Sequence, residues 1–184
     1  MSNENLTELT EEQKQLQIEN ENKVYETLDA LDIKYKVVEH EPLYTAEQLN
    51  ILKDPSSDIY CEGNHCKNLF LRNAKGNKYY LIVAKDDKDV NLKELQDIIG
   101  ATRLSFASSE RLYKVLKLFP GSVNPFSLKN DTESVVDLFI DKDVMNGENL
   151  NFHPNVNTKM VNISFNDFNK FLKSLDNEVE IINF

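Results

Sequence analysis

The chain has 184 residues, 40% of them hydrophobic and 28% charged, with a formal net charge of −10. That length supports one sizeable core and gives no reason to split the chain, and no run approaches the ~18 apolar residues of a membrane span. The acidic, polar start Met1-Ser2-Asn3-Glu4-Asn5 is unlike a secretory leader, and two cysteines, Cys61 and Cys66, in a chain that needs no staple fit a reduced, cytoplasmic protein.

Apolar residues at Leu6, Leu9, Leu16, Val24, Leu28 and Leu31 follow a broadly helical spacing, and Thr10-Glu11-Glu12-Gln13 has the form of a capping box. The segment reads as one long acidic helix or two short ones, and residues 1–22 as an N-terminal helical extension before a single domain over 23–184. Tyr35–Val38 reads as a strand. Pro42 breaks the chain, Thr45-Ala46-Glu47-Gln48 starts a short helix, and residues 53–64 have loop composition. Lys67–Arg72 and Tyr79–Ala84 are two apolar strands joined by Asn73-Ala74-Lys75-Gly76-Asn77, a hairpin connection. Asn91 caps a helix to Ile99 with Gly100 just past it, and a second helix fits Ser108 to Leu116. A Gly121-Ser122 turn follows, then a strand over Val135–Ile140. Another strand, Lys159–Ile163, feeds Ser164 as cap of an amphipathic helix to Leu175, and Val179–Ile182 forms an edge strand. Hairpins mixed with helices indicate an α+β fold rather than a doubly wound sheet.

The charge is unevenly spread. From His65 to Lys117 there are eleven Lys/Arg against six Asp/Glu, a local +5 that leaves −15 for the flanks. A basic middle could steer an anionic substrate onto one face, or be ordinary solvated surface. Within it, Lys67 heads an apolar run and would aim an ammonium at a phosphate or a developing negative charge, unless it snorkels at a strand edge. Gly121 allows a tight turn whose N–H groups could grip a substrate, or simply ends the helix before it. His153, between Phe152 and Pro154, could bind, gate or transfer protons, or lie exposed in a loop. Thr45 with Gln48 reads as a helix N-cap. Cys61 and Cys66, spaced Cys-x4-Cys with no second pair, do not complete a zinc site, and a Cys66 nucleophile paired with His153 would need a thiolate beside Lys67. No GxGxxG, GxxxxGK[ST] or HExxH motif occurs.

Leu43-Tyr44-Thr45-Ala46-Glu47-Gln48-Leu49, Lys67-Asn68-Leu69-Phe70-Leu71, Gly121-Ser122-Val123-Asn124-Pro125, Leu138-Phe139-Ile140-Asp141 and Asn151-Phe152-His153-Pro154 occur in one order. That ordered set resembles the YbaK/prolyl-tRNA-synthetase-associated editing family over residues 23–184, and within it the free-standing PrdX/ProX-type Ala-tRNA(Pro) deacylases. The resemblance implies a mixed, mostly antiparallel sheet surrounded by helices. It implies hydrolysis of the ester of a mischarged aminoacyl-tRNA, alanine on tRNA(Pro) foremost, with cysteine or another residue as the alternative and a non-catalytic tRNA-binding or regulatory module as a second. By resemblance Lys67 binds the acceptor end and is required for activity. Gly121 and Ser122 support the ester and its attacking water, and His153 borders a small amino-acid pocket. Thr45 lies near the terminal adenosine, and Asp141 is an acidic position on the strand after the turn. No cofactor or metal is implied. The expected partners are tRNA(Pro) and prolyl-tRNA synthetase, with the chain a monomer.

Overall fold

The computed structural model describes residues 10–43 and 46–184; Thr45 therefore lies outside the described residues. Helix α1, Glu11–Ala30, is one continuous helix. Its start is fixed by Thr10, whose hydroxyl accepts from the Gln13 amide while the Gln13 side chain accepts from the Thr10 amide. The boundary expected after residue 22 falls inside this helix. Then come β1 (Tyr35–Glu39), α2 (Ala46–Leu49), β2 (Asn64–Arg72), β3 (Tyr79–Lys85), α3 (Leu92–Ile98), β4 (Ser105–Phe106), α4 (Ser109–Leu116), β5 (Val136–Asp141), β6 (Asn149–Phe152), β7 (Lys159–Ser164), α5 (Phe165–Lys173) and β8 (Val179–Ile182). Asn91, Ser108 and Ser164 cap α3, α4 and α5 through their side chains, as their positions before polar first turns predict.

The strands form one sheet in the order β1-β7-β6-β2-β3-β5-β8, with β4 against β2. Four pairings are antiparallel (β1–β7, β6–β7, β2–β3 and β2–β4) and three are parallel (β2–β6, β3–β5 and β5–β8). This is the expected mixed α+β architecture. β3 sits near the middle and is apolar at every position from Tyr79 to Ala84, because both faces are covered. On one face Leu81 and Val83 pack with Val24 and Leu28 of α1, Leu112 and Leu116 of α4, and Phe168 and Phe171 of α5. On the other face Ile82 and Leu71 pack with Leu95 of α3. A third, smaller cluster joins Leu52 and Cys61 to Met160 of β7, with Leu43, Leu49 and Ile59 packed against it. The four fully buried rings Phe126, Phe152, Phe168 and Phe171 meet across the main core, edge-on or tilted at 4.9–5.8 Å in three contacts and stacked at 6.3 Å between Phe168 and Phe171. Each such side chain stabilises the fold by about 1.5–3 kcal/mol through burial.

The relation between β2 and β6 positions the site. They pair in parallel only at Asn64↔Leu150 and His65↔Asn151. The approach is close enough that a Cβ on Gly63, which holds φ +102°, would run into the Asn149 carbonyl, so only glycine fits there. β2 begins at Asn64, three residues before the strand start expected at Lys67, and β6 falls in a stretch for which the sequence suggested no strand.

Candidate active site in the cleft between β2 and β6

Beyond His65 the two strands part. The edge of β2 that faced β6 finds a partner again only at Leu71 and Arg72, which pair with β4. Residues 66–69 thus border an open cleft. Backbone polarity there follows from strand alternation. The His65 carbonyl accepts from the Asp86 amide on the β3 side, and the Phe70 carbonyl accepts from the Ala107 amide on the opposite side. The N–H and C=O groups of Cys66 and Asn68 therefore point into the cleft.

A cavity of about 50 Å³ fills this gap, lined by Leu49, Cys66, Asn68, Phe152, His153 and Met160 among others. It is little larger than the ~30 Å³ share of one water molecule and far below the ~150 Å³ that admits benzene. A methyl-sized side chain suits it. His65 and Asp86 also line a neighbouring polar chamber of about 220 Å³ with Lys53, Tyr60 and Lys85, where Lys53 and Asp86 form an ion pair. The cleft thus joins a small inner space to a larger charged one.

Lys67 is half-buried on β2, and its ammonium has no hydrogen-bond or ion-pair partner among the described residues. It shares a sheet face with His65 by strand alternation. Extending the β2–β6 register by two residues would place His153 opposite it. His153 is held by Nδ1–H, which donates to the Lys159 carbonyl at 2.8 Å, since a carbonyl can only accept. That fixes Nε2 as the unprotonated nitrogen. Desolvation pushes the imidazole pKa down to about 4, so it is neutral near pH 7. The His40 ring lies 5.7 Å from it.

The turn at Gly121 is anchored to the loop after His153. Gly121 adopts φ +91°, and a Cβ added there would come 3.5 Å from Asn157 Nδ2. Asn124 Nδ2 donates to the Ser122 carbonyl at 2.7 Å and to Asn155 Oδ1 at 2.9 Å, both fully buried contacts. Ser122 is buried, and its hydroxyl donates to the Phe119 carbonyl at 2.7 Å. The backbone amides of Gly121 and Val123 hydrogen-bond to no described residue. They are free donors on a braced turn, the arrangement that serves a developing oxyanion.

Asp141 stands apart. It ends β5, two strands from β2, is fully buried, pairs with Lys88 Nζ at 2.8 Å and caps the short turn that follows. Its charge is already engaged. The Cys66 thiol is pushed well above the ordinary range by burial and Cys61 up to about 11, so neither presents a thiolate. Among the described residues no group of three His, Cys, Asp or Glu is placed to hold a metal ion. Sequence reasoning did not single out Asn68, Met160, Asn124 or Asn155. The run of asparagines from Asn146 to Asn157 was the available signal, because asparagine tolerates irregular backbone and satisfies buried polar groups.

Residues 40–171 match the family model described as the aminoacyl-tRNA editing domain. The chain belongs to that family. The editing-domain match spans the cleft, its cavity, Lys67, the Gly121 turn and His153, and leaves α1 outside. Among curated relatives, the prolyl-tRNA editing protein ProX of Acetoanaerobium sticklandii is 42% identical over 155 residues, covering 84% of this chain and 92% of that protein. The prolyl-tRNA synthetase associated domain-containing protein 1 of Mus musculus is 33% identical over 161 residues, covering 85% and 92%. The solved structure of a candidate trans-editing enzyme for prolyl-tRNA synthetase superposes with a TM-score of 0.67 at 14% identity, covering 89% of this chain and 95% of that one. At that identity the likeness shows a shared editing-domain fold.

Proposed function

We propose that this protein is a trans-editing hydrolase that cleaves the ester of mischarged aminoacyl-tRNA, with Ala-tRNA(Pro) as substrate. The observation that carries this reading is the cavity of about 50 Å³ at the end of an open cleft in an editing-domain fold. A synthetase site built for proline cannot reject a smaller amino acid strongly. A second, smaller pocket removes it by admitting only what fits. A methyl group fits this cavity and a pyrrolidine ring does not.

The chemistry follows from what each group has left to offer. Lys67, whose charge has no partner among the described residues, binds an acceptor-end phosphate. The free amides of Gly121 and Val123 stabilise the tetrahedral oxyanion as water adds to the ester carbonyl. Ser122 contributes by bracing the turn, because its hydroxyl and amide both donate to the Phe119 carbonyl and its own carbonyl accepts from Asn124. His153 walls the small pocket. With a pKa of about 4 it is too weakly basic to drive proton abstraction near pH 7, so water is positioned by backbone groups and by the free ribose hydroxyl of the terminal adenosine. Thr45 contributes to binding that adenosine, and Asp141 supports β5 through Lys88 rather than touching substrate. The ester splits into free amino acid and intact tRNA, the alcohol oxygen of the ribose leaving with a proton. Prolyl-tRNA synthetase, as the source of the mischarged tRNA, is the partner enzyme, and the protein works in the cytoplasm as a monomer.

Deacylation of Ala-, Cys-, Ser- and Pro-tRNA(Pro) by the purified protein tests this. Release of alanine at least tenfold faster than of proline is expected. Equal rates, or preferred release of cysteine, would replace the alanine assignment, and no release from any of the four would leave a binding module.

A further inference from the structure

Helix α1 lies outside residues 40–171, yet two consecutive residues in its middle are buried: Asn20 at 2% and Glu21 at 9% exposure. Buried polar residues on a helix are retained where they have partners. These two reach different parts of the cleft. Asn20 Nδ2 donates to the Lys117 carbonyl at 2.9 Å, at the left-handed end of α4, four residues before Gly121. The backbone carbonyl of Asn20 accepts from Asn155 Nδ2 at 3.0 Å, and Asn155 Oδ1 accepts from Asn124, which holds the Ser122 carbonyl. Glu21 Oε1 accepts from Lys159 Nζ at 2.7 Å. Lys159 is the residue whose carbonyl fixes the His153 ring.

We infer that Asn20 and Glu21 are positioning residues of the editing site, a two-pronged clamp through which α1 sets the Gly121 turn and the His153 wall relative to each other. The Asn20 prong sets where the Gly121 and Val123 amides point, and the Glu21 prong sets the wall of the cavity. The two loops, around residues 117–124 and 153–159, are distant in sequence, meet through Asn124 and Asn155, and both bond to α1. The helix is in this sense part of the site although it touches no substrate. A shift of about 1 Å in such groups can lower a rate by up to about a hundredfold.

The inference rests on the editing function proposed above, and its test separates the two. Asn20→Ala, Glu21→Ala and, as a control on the exposed side of the same helix, Glu19→Gln are made in the full chain. Each is assayed well below its melting temperature for release of alanine and of a larger amino acid. The ratio of the two rates does not depend on the fraction of folded protein. The Gly121 and Val123 amide resonances and the His153 ring resonances are recorded in parallel. Expected are a ten- to hundredfold fall in alanine release and an altered ratio for Asn20→Ala and Glu21→Ala. The Gly121 and Val123 amides should move in the first and the His153 ring in the second, with none of this in Glu19→Gln. Resonances at wild-type positions in both variants overturn the inference whatever the rates do. So do moved resonances with unaltered rate and ratio, or a uniform fall in rate at constant ratio. If the wild-type protein deacylates nothing, the functional reading has failed, and the resonances alone decide whether the clamp exists.

Discussion

Lys67 of β2 and His153, the residue after β6, would stand opposite each other if the β2–β6 register ran two residues beyond His65↔Asn151, but the strands separate first. Lys67 borders the cleft on β2 with no charge partner among the described residues, whereas His153 lines its cavity as a neutral ring bonded to the backbone. This asymmetry gives the two residues different tests.

Lys67→Ala should lower alanine release by one to two decades while leaving the melting temperature almost unchanged. In the proposed mechanism it removes a charge-assisted hydrogen bond to phosphate worth roughly 1.5–3 kcal/mol, and among the described residues Lys67 has no partner whose loss would unfold the chain. Steady-state deacylation alongside thermal melts checks both halves. A folded variant with near-normal turnover would take Lys67 out of the site.

His153→Ala should change selectivity more than it changes chemistry. With the wall removed, the cavity of about 50 Å³ enlarges and admits bigger side chains, while alanine is released more slowly because it is held less well. The wild-type rate should be flat from pH 6 to 8, since the imidazole titrates near 4. A rate that rises through pH 6.5 and vanishes in the variant would make His153 the general base.

The same imidazole makes stability depend on pH. Its folded pKa of about 4 lies below the ordinary 6.5, so between those values the unfolded chain binds a proton that the folded chain refuses. Stability is therefore full above pH 6.5 and falls as the pH drops towards 4. His65, also held below its usual range by burial, acts in the same direction. Unfolding free energies from urea melts at pH 7 and pH 5 should differ more for wild type than for His153→Gln, by on the order of 1–2 kcal/mol; equal differences would contradict the buried, neutral histidine.

Gly121→Ala should cost activity through backbone conformation rather than crowding. A Cβ would meet nothing closer than 3.5 Å, but φ +91° is strained for any residue with a side chain. The turn either relaxes, moving its amides, or stores about 1–3 kcal/mol of strain. Loss of deacylation at unchanged tRNA affinity is the expected result, measured by single-turnover kinetics and filter binding; full activity would remove the turn amides from the mechanism.

Binding of tRNA should weaken steeply with salt, and only some of the basic residues should matter. Arg111 is spent on the Gly76 carbonyl and the Tyr79 hydroxyl, Lys78 on Asp137, and Lys88 on Asp141 and Asp143. Lys75, Lys93 and Lys114 are exposed. Charge reversal at those three should lower affinity and reduce the salt slope by about one for each phosphate no longer neutralised. Reversal at Lys78 or Arg111 should show first as lower stability. Identical slopes for all five variants would mean that the basic middle of the chain is not the tRNA face.

The elements legible in the sequence are those with a local cause. Thr10 with Gln13, Asn91, Ser108 and Ser164 each mark a helix start by a side chain that bonds its own backbone a turn later. Gly76 marks the β2–β3 hairpin through its backbone, with φ +67° and its amide donating to Asn73 Oδ1. β6 was not legible: Asn149 and Asn151 disfavour a strand, although Leu150 and Phe152 alternate with them and fill the core. The motifs singled out Lys67, Gly121 and His153; the cavity draws Leu49, Asn68, Phe152 and His153 from three separate motifs and Cys66 and Met160 from outside them. It exists because β2 and β6 diverge after two paired residues, and Met160 and Cys66 reach it from strands that are distant in sequence. The Asn124–Asn155 and Glu21–Lys159 contacts likewise join residues whose proximity only the folded chain creates.

The parting of β2 from β6 also bears on self-association. Unpaired sheet edges invite a strand from another molecule, and a protein of this kind must expose one to make room for its substrate. Apart from the outermost strands β1 and β8, the open edge inside the sheet is confined to residues 66–69, closed at one end by β6 and at the other by β4. Four residues fall short of the usual five or six of a strand. The opening admits a single ester-linked residue while denying a foothold to a neighbouring chain, so widening it by loss of β4 pairing would trade colloidal stability for access.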